Sequence, residues 1–466
     1  MDRPIGYDEA YTFIYFASRP FKYILIDYHA PNNHILNTIL VGAAYRVLGG
    51  HDWIVRLPAF VASVLCVPAA YFTARRFFTH NQSLGASAIL AVYPAIILST
   101  ANGRGYMLVM LLSLMLANLA GLLVTQQNRM TLVAYAIIAA LGFYTVPIFL
   151  YPMAGISLWV AATHLINPQP RPAPLRMFAA FLGACLLCGA MTLMLYSPII
   201  IFGTGFDSIF NNEIITPRTW LYFAESLLPR ITRTWEEWTI DLNPESQYLL
   251  AGGFLVSLFF YRKVSNQRLP LQLFLFLAVA ILLVIQKVAP LPRVWIYLEL
   301  FCLIFAAAGL VWIIDMSAKK FAGEIFSARL LPTAILLFTI TVCINLVMKT
   351  QSPAALAERT QLPEKYAADY LASHLKPGDT ILALAPIDMR AAYHLKINGV
   401  PYDVFYQRDH PLEFQNALVI VRGREQLNTP QEVIEFFQLR PKLDPASAEL
   451  VYEYGELQIY AIPVKP

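Results

Sequence analysis

The chain has 466 residues, 58% of them hydrophobic and only 14% charged, with a net charge of +4 and a mean hydropathy of +0.54. That balance excludes an ordinary soluble protein, and with so small a positive excess no nucleic-acid partner is expected. Apolar stretches of about 17 to 25 residues recur along it, the length that crosses a bilayer. All five cysteines (Cys66, Cys185, Cys188, Cys302, Cys343) fall inside such stretches, and the Cys185-Leu-Leu-Cys188 pair reads as helix packing rather than a metal or redox site.

The N-terminal segment Tyr7-Asp8-Glu9-Ala10-Tyr11 places two adjacent carboxylates ahead of an apolar run. Acids favour the first turn of a helix, so a solvated pair is the plain reading. At the water boundary of a membrane protein, the same pair is a functional candidate. A polar patch, Asp27 to His34, leads into Ile35 to Leu48, which is short for a span and carries Asn37, Thr38 and Arg46; it reads as an interfacial or re-entrant helix. Spans are then predicted at Trp53–Phe72, Leu84–Thr100, Tyr106–Val124, twice within Leu132–Leu165 around the prolines near Tyr144 to Pro152, and at Met177–Phe202. A polar, Trp- and Arg-rich loop runs from Gly203 to Gln247, and further spans follow at Tyr248–Tyr261, Leu271–Ile285, Tyr297–Ile314 and Leu331–Met348. From about Ser352 the composition becomes that of a soluble α/β domain: a helix over Pro363–Leu375, a turn at Pro377-Gly378-Asp379, strands at Thr380–Ala385 and Ala417–Val421, and a hairpin around Gly455.

The fold class is therefore a mostly α, polytopic membrane protein with a small C-terminal α/β domain. Its expected parts are residues 1–52 with the acidic loop and interfacial helices, a bundle of about ten to eleven spans over 53–349 with a loop at 203–247, and a soluble domain over 350–466. Arg75/Arg76, Arg129, Arg171/Arg176, Arg262/Lys263/Arg268 and Lys319/Lys320/Arg329 fall in loops of one parity, which the positive-inside rule places in the cytoplasm. Asp8-Glu9, Arg104, Arg293, the Trp-rich loop and the C-terminal domain then share the outer face. No span precedes Asp8 to carry it there. The expectation is a transmembrane helix lost upstream, through truncation or a start codon placed too late, or else a short translocated N-terminus.

Outer-face features that could carry chemistry are Asp8-Glu9, Asn32-Asn33-His34, Asn102-Gly103-Arg104-Gly105-Tyr106 and Pro290-Leu291-Pro292-Arg293, the last with Lys287 before it and Glu299 after it. Arg104 and Arg293 equally read as headgroup anchors, His34 as a helix-start hydrogen bonder and Glu299 as the partner of a neighbouring helix's cation. Asp8, Glu9 and His34 could in principle hold a divalent metal. No zinc or phosphate-loop spacing is present.

In order and spacing, Asp8-Glu9, Asn33-His34, Arg56-Leu57-Pro58 and Arg104-Gly105-Tyr106 resemble the C-type glycosyltransferase superfamily over about residues 5 to 315. They are similar in particular to the polyprenyl-phosphate-sugar-dependent family that includes protein O-mannosyltransferases and aminoarabinose transferases. Where many relatives read His-Pro-Pro, this chain reads Asn32-Asn33-His34. The resemblance implies transfer of a sugar from a polyprenyl-phosphate lipid to an acceptor hydroxyl on a glycan, lipid or protein, at the outer face of a bacterial inner membrane. It implies Asp8 as the base that takes the acceptor proton, with Glu9 orienting a ligand or metal. Arg104, Tyr106, Arg293 and Lys287 would bind the donor phosphate, and Asn33 and His34 the substrate. The resemblance implies no certain cofactor and leaves a divalent metal open. Two other readings stand beside it: a transporter or flippase of lipid-linked sugars, which would hold the headgroup with the same cations but against which no inverted repeat is visible, and a polysaccharide polymerase or ligase of another membrane fold, built around the Trp-rich loop with Glu236 and Glu237 rather than the N-terminal carboxylates.

Overall fold

Helices follow the apolar runs closely in a computed structural model that describes residues 3–126, 128–166, 174–210, 219–325, 330–350, 362–408, 413–422 and 429–465. Among the described residues, six helices are long and apolar enough to cross a membrane: Asp52–Ala74, Tyr106–Thr125, Pro147–Ile166, Arg176–Phe202, Pro292–Lys320 and Leu331–Met348. The stretch expected as a single span at Leu84–Thr100 is a pair, His80–Val92 and Pro94–Thr100, bent by 58°. Pro94 has no N–H to extend the first helix and sits instead at the start of the second. Ile35–Leu48, Arg129–Thr145 and Leu271–Gln286 are shorter apolar helices. Arg171, Arg329 and Ser352, and residues 211–218 of the Trp-rich loop, lie outside the described residues.

The Trp-rich stretch departs from the expectation of a loop, because Trp220–Trp238 is a 19-residue helix. Its apolar residues recur at helical spacing among charges, so it is amphipathic without being apolar overall. Thr219 caps it by accepting from the Tyr222 N–H.

By its contacts the chain divides into two compact units, one of residues 22–40 and 56–350, the other of residues 1–21, 41–55 and 351–466. In the helical unit the core includes Phe78, Met110, Tyr135, Phe149, Trp159 and Phe301. Two helices there touch through their backbones. A Cβ at Gly309 would meet the Gly253 carbonyl oxygen at 2.0 Å, and one at Gly253 would meet the Ala306 oxygen at 2.5 Å. Small residues at a crossing gain van der Waals contact that lipid cannot supply.

The second unit is built on a four-stranded sheet of order β1-β2-β4-β3, with β1 Asp379–Leu382, β2 Asn416–Arg422, β3 Glu449–Tyr454 and β4 Leu457–Pro463. β1 runs parallel to β2, and the β3–β4 hairpin turns at Gly455, whose φ of 60° suits glycine. The two-residue period of β2 divides the core. Leu418 and Ile420 join one cluster with Ala391, Tyr393 and Leu371, while Ala417, Val419 and Val421 join another with Val433, Ile434 and Leu443. The N-terminal residues Ile5, Ala10, Phe13, Ile14 and Ala17 belong to the first cluster. Phe13 fits edge-on between Tyr45 and Tyr393, with centroids at 4.9 and 5.0 Å. The acidic N-terminal helix and the C-terminal α/β fold thus share one core.

Candidate active site

The candidate residues fall in both units. In the helical unit, Asn32-Asn33-His34 precedes the Ile35–Leu48 helix and Asn102–Gly105 precedes the Tyr106–Thr125 helix. Two side chains tie these loops in place. The buried Asn33 amide donates to the carbonyls of Ile24 at 3.1 Å and Asp27 at 2.9 Å, and Asn37 donates to the Gly103 carbonyl at 2.9 Å. Asn33, expected to contact substrate, is therefore engaged through its nitrogen in holding its own loop, while its Oδ1 is enclosed without a hydrogen-bond partner among the described residues.

His34 and Arg104 meet at the centre of this arrangement. Both are buried, at 2% and 4% exposure. The Gly105 N–H donates to His34 Nδ1 at 2.9 Å. Because that nitrogen accepts, the neutral ring carries its proton on Nε2. Arg104 Nη2 lies 3.3 Å from Nε2 and donates to Asn32 Oδ1 at 3.1 Å. Two N–H donors therefore stand side by side, an arrangement that an anion in front of them would satisfy. Burial first, then the charges of Arg104 and Arg293, hold His34 well below the ordinary histidine value. The Tyr106 ring stands edge-on to His34 at 5.0 Å, and the Arg104 guanidinium carbon is 5.3 Å from its centroid. Gly105 is required by space, since a Cβ would lie 2.7 Å from Thr145 Cγ2 and 3.0 Å from His34 Nδ1.

The structure thus brings together Arg104, Tyr106 and His34, with Arg293 near enough to act on the histidine. Lys287, at a left-handed φ of 52°, has its ammonium 4.8 Å from the Trp220 ring centroid. Glu299 is buried, and its Oε1 has no hydrogen-bond partner among the described residues; the charge that bears on it is Glu237, so the expected cation partner is absent among them. An apolar slot of about 280 Å³ lies beside the Trp220–Trp238 helix, walled by Ile231, Trp235, Trp238, Leu283 and Trp295, with Arg230 at its lining. Asn37 and Thr145 were not singled out from the sequence as site residues; a buried asparagine near an apolar helix start was the available signal for the first.

In the other unit, Asp8 and Glu9 lie in the first turn of the Tyr7–Thr12 helix, where the backbone dipole favours negative charge. Glu9 is buried at 4% exposure and accepts the Gly6 N–H at 2.7 Å, closing the helix start. Asp8 is half-buried, and its carbonyl accepts from the Thr12 hydroxyl. The helix runs on into a π turn, Phe13–Ala17. Burial, then Asp388, Tyr15 and Asp8, push the Tyr7 phenol up to about 12. Among the described residues, no group of three or more His, Cys, Asp or Glu side chains could hold a metal ion.

Residues 35–202 match the family model described as dolichyl-phosphate-mannose-protein mannosyltransferase. No curated protein matches the sequence. In fold, the chain is similar to ArnT from Cupriavidus metallidurans. The apo structure superposes with a TM-score of 0.62 at 12% identity over 98% of this chain and 94% of that one. The structure bound to undecaprenyl phosphate gives 0.61 at 12% identity over 99% and 94%. The motifs, the family match over residues 35–202 and the fold agree: the chain has the mostly helical, polytopic fold of ArnT and is similar to the C-type glycosyltransferases, the kind that includes protein O-mannosyltransferases and aminoarabinose transferases.

Proposed function

We propose that the chain transfers a sugar from a polyprenyl-phosphate donor to an acceptor hydroxyl at the outer face of a bacterial inner membrane, with inversion at the anomeric carbon. The observation that carries this reading is the pair of adjacent donors, His34 Nε2–H and the Arg104 guanidinium, buried at two helix starts with Tyr106 beside them. A phosphate monoester or diester oxygen fits such a pair, and charge-assisted bonds to it strengthen as the leaving group gains charge. Arg293 adds positive charge near His34, and Lys287 is a reserve cation. The ArnT structure with undecaprenyl phosphate is that of a protein with the same fold holding such a lipid. The apolar slot under Trp235 and Trp238 offers isoprenoid units a surface without polar demands.

The acceptor hydroxyl must lose its proton as it attacks. Asp8 takes that role, because its carboxylate is half-buried at a helix start while Glu9 is already spent on the Gly6 N–H. The phosphate departs without needing a proton, so a single carboxylate suffices, unlike the opposed pair of a glycosidase. The same reading assigns residues 1–52 to the acidic loop and interfacial helices, 53–349 to the membrane bundle, and 350–466 to an extracytoplasmic domain that shapes access for the acceptor.

The test is release of free polyprenyl phosphate from a panel of lipid-phosphate sugars, with extracts supplying acceptors. Native protein is compared with Asp8→Asn. Turnover on one sugar that falls at least a hundredfold in the variant is expected. Turnover that survives the substitution would remove Asp8 as the base. Tight lipid binding with no turnover on any sugar would favour a transporter.

A further inference from the structure

The unit that carries Asp8 contains a second carboxylate to which neither the family match nor the similar structures give a role. Asp388 lies in the first turn of the Ile387–Ile397 helix, and its Oδ1 is enclosed without a hydrogen-bond partner among the described residues. Two phenols lie close enough to feel it. Its charge acts on both Tyr7 and Tyr402. The Tyr402 hydroxyl shares a hydrogen bond of 3.0 Å with that of Tyr15, and their rings meet edge-on at 5.4 Å. Tyr11 continues the row, 4.5 Å from Tyr15 and 6.2 Å from Tyr7.

An enclosed carboxylate oxygen left without a donor is costly, so a fold that keeps one has it answered by something outside the chain or tolerates the loss. The chemistry of the missing partner is constrained. A carboxylate oxygen only accepts, so the partner donates. Asp388, with Asp8 adjacent in sequence to Tyr7, repels an anion. The flanking phenols both give and take hydrogen bonds, which a hydroxyl can reciprocate and an ammonium cannot. Ring faces suit C–H surfaces. We propose that Asp388, Tyr7 and Tyr402 form a subsite for a neutral, hydroxyl-rich group, a sugar ring or similar polyol, whose hydroxyl donates to Asp388 Oδ1. This rests on the transferase reading only in taking the bound group to be part of the acceptor; the binding itself does not require it.

The experiment uses the full chain in lipid nanodiscs. Saturation-transfer NMR titrations compare methyl glucoside with its 2-amino and its uronate counterparts. Native protein is set against Asp388→Ala and Tyr402→Phe, and undecaprenyl phosphate affinity is measured on the same samples. The expected result is saturable binding of the neutral glycoside in preference to the other two. Its Kd should rise at least tenfold in Asp388→Ala and severalfold in Tyr402→Phe, with undecaprenyl phosphate affinity unchanged. Neutral-glycoside affinity equal in native protein and both variants, no saturable binding at all, or preference for the charged sugars would overturn the assignment. Failure of native protein to bind undecaprenyl phosphate or to turn over any lipid-linked sugar would bear on the transferase reading alone, because the glycoside titration is read independently. Tyr402→Phe removes one oxygen and keeps the ring, so a loss confined to Asp388→Ala by misfolding is distinguishable.

Discussion

Asp388→Asn should stabilise the protein, and increasingly so as pH rises. Burial pushes the Asp388 carboxyl from 3.8 up to about 6, partly offset by helix N–H groups. A raised value means that the native state holds a proton which the unfolded chain has released between these two pH values. Stability contributed by this group is therefore complete below about pH 4 and falls as pH rises through about 6. At 1.36 kcal/mol per unit, the penalty is about 3 kcal/mol near pH 8 and about half that near pH 5. Asparagine removes the ionisation while adding an amide whose cost does not vary with pH, so the diagnostic quantity is the change in the difference, on the order of tenfold. Amide hydrogen exchange of the Ile387–Ile397 helix reads it, with variant and native protein compared at each pH so that intrinsic exchange cancels. The protection ratio should widen about tenfold in favour of the variant from pH 5 to 8. A ratio independent of pH, or one that moves towards the native protein, would refute the burial of a costly charge at this position.

Glu9→Gln keeps an oxygen to accept the Gly6 N–H and should retain most turnover, whereas Glu9→Ala should lose about 1 kcal/mol of helix-start stability; lipid-phosphate release and exchange of residues 7–12 check the pair. Arg104→Ala should lower lipid-phosphate release by about a hundredfold or more, and Arg104→Lys should fall between, because an ammonium keeps the charge without the planar fork that spans Asn32 and a phosphate oxygen. Gly105→Ala should cost about 1–3 kcal/mol through its collision with Thr145 Cγ2, and Thr145→Ser, which lacks that methyl, should recover part of the loss in a double-variant thermal unfolding cycle.

Much of the α/β fold was legible because its periods are clean. The alternation Ala417-Leu418-Val419-Ile420-Val421 reads as a strand and divides between two cores, and Gly455 marks the hairpin. The apolar helices were legible by length, and Pro94 was the visible cause of the one that bends. The Trp220–Trp238 helix was not, because its residues are polar on average and only their angular distribution shows an apolar face. Nor could composition show that Phe13 shares a core with Tyr393, since that contact closes across most of the chain. The motifs named Arg104, Tyr106 and His34 as candidates; their convergence, and the diversion of Asn33 into holding its own loop, depend on side-chain directions that spacing alone does not fix.

The histidine in this cluster works best as a fixed neutral donor. Protonating it would require Nδ1 to give up the Gly105 N–H and would place a second cation 3.3 Å from Arg104. Burial and the Arg104 and Arg293 charges oppose that change. A bound phosphate would offset the electrostatic part, but it would approach Nε2, which already carries its proton, and would leave Nδ1 as it was. Undecaprenyl phosphate affinity should therefore show no histidine step between about pH 5.5 and 8. The phosphate's own second ionisation near 6 is shared by all variants, so the comparison is with His34→Gln, whose affinity should be lower than native by a similar factor at every pH. Binding that strengthens on acidification in the native protein but not in His34→Gln would mean that the ring charges on contact with the lipid, and the Gly105 hydrogen bond would no longer define its role.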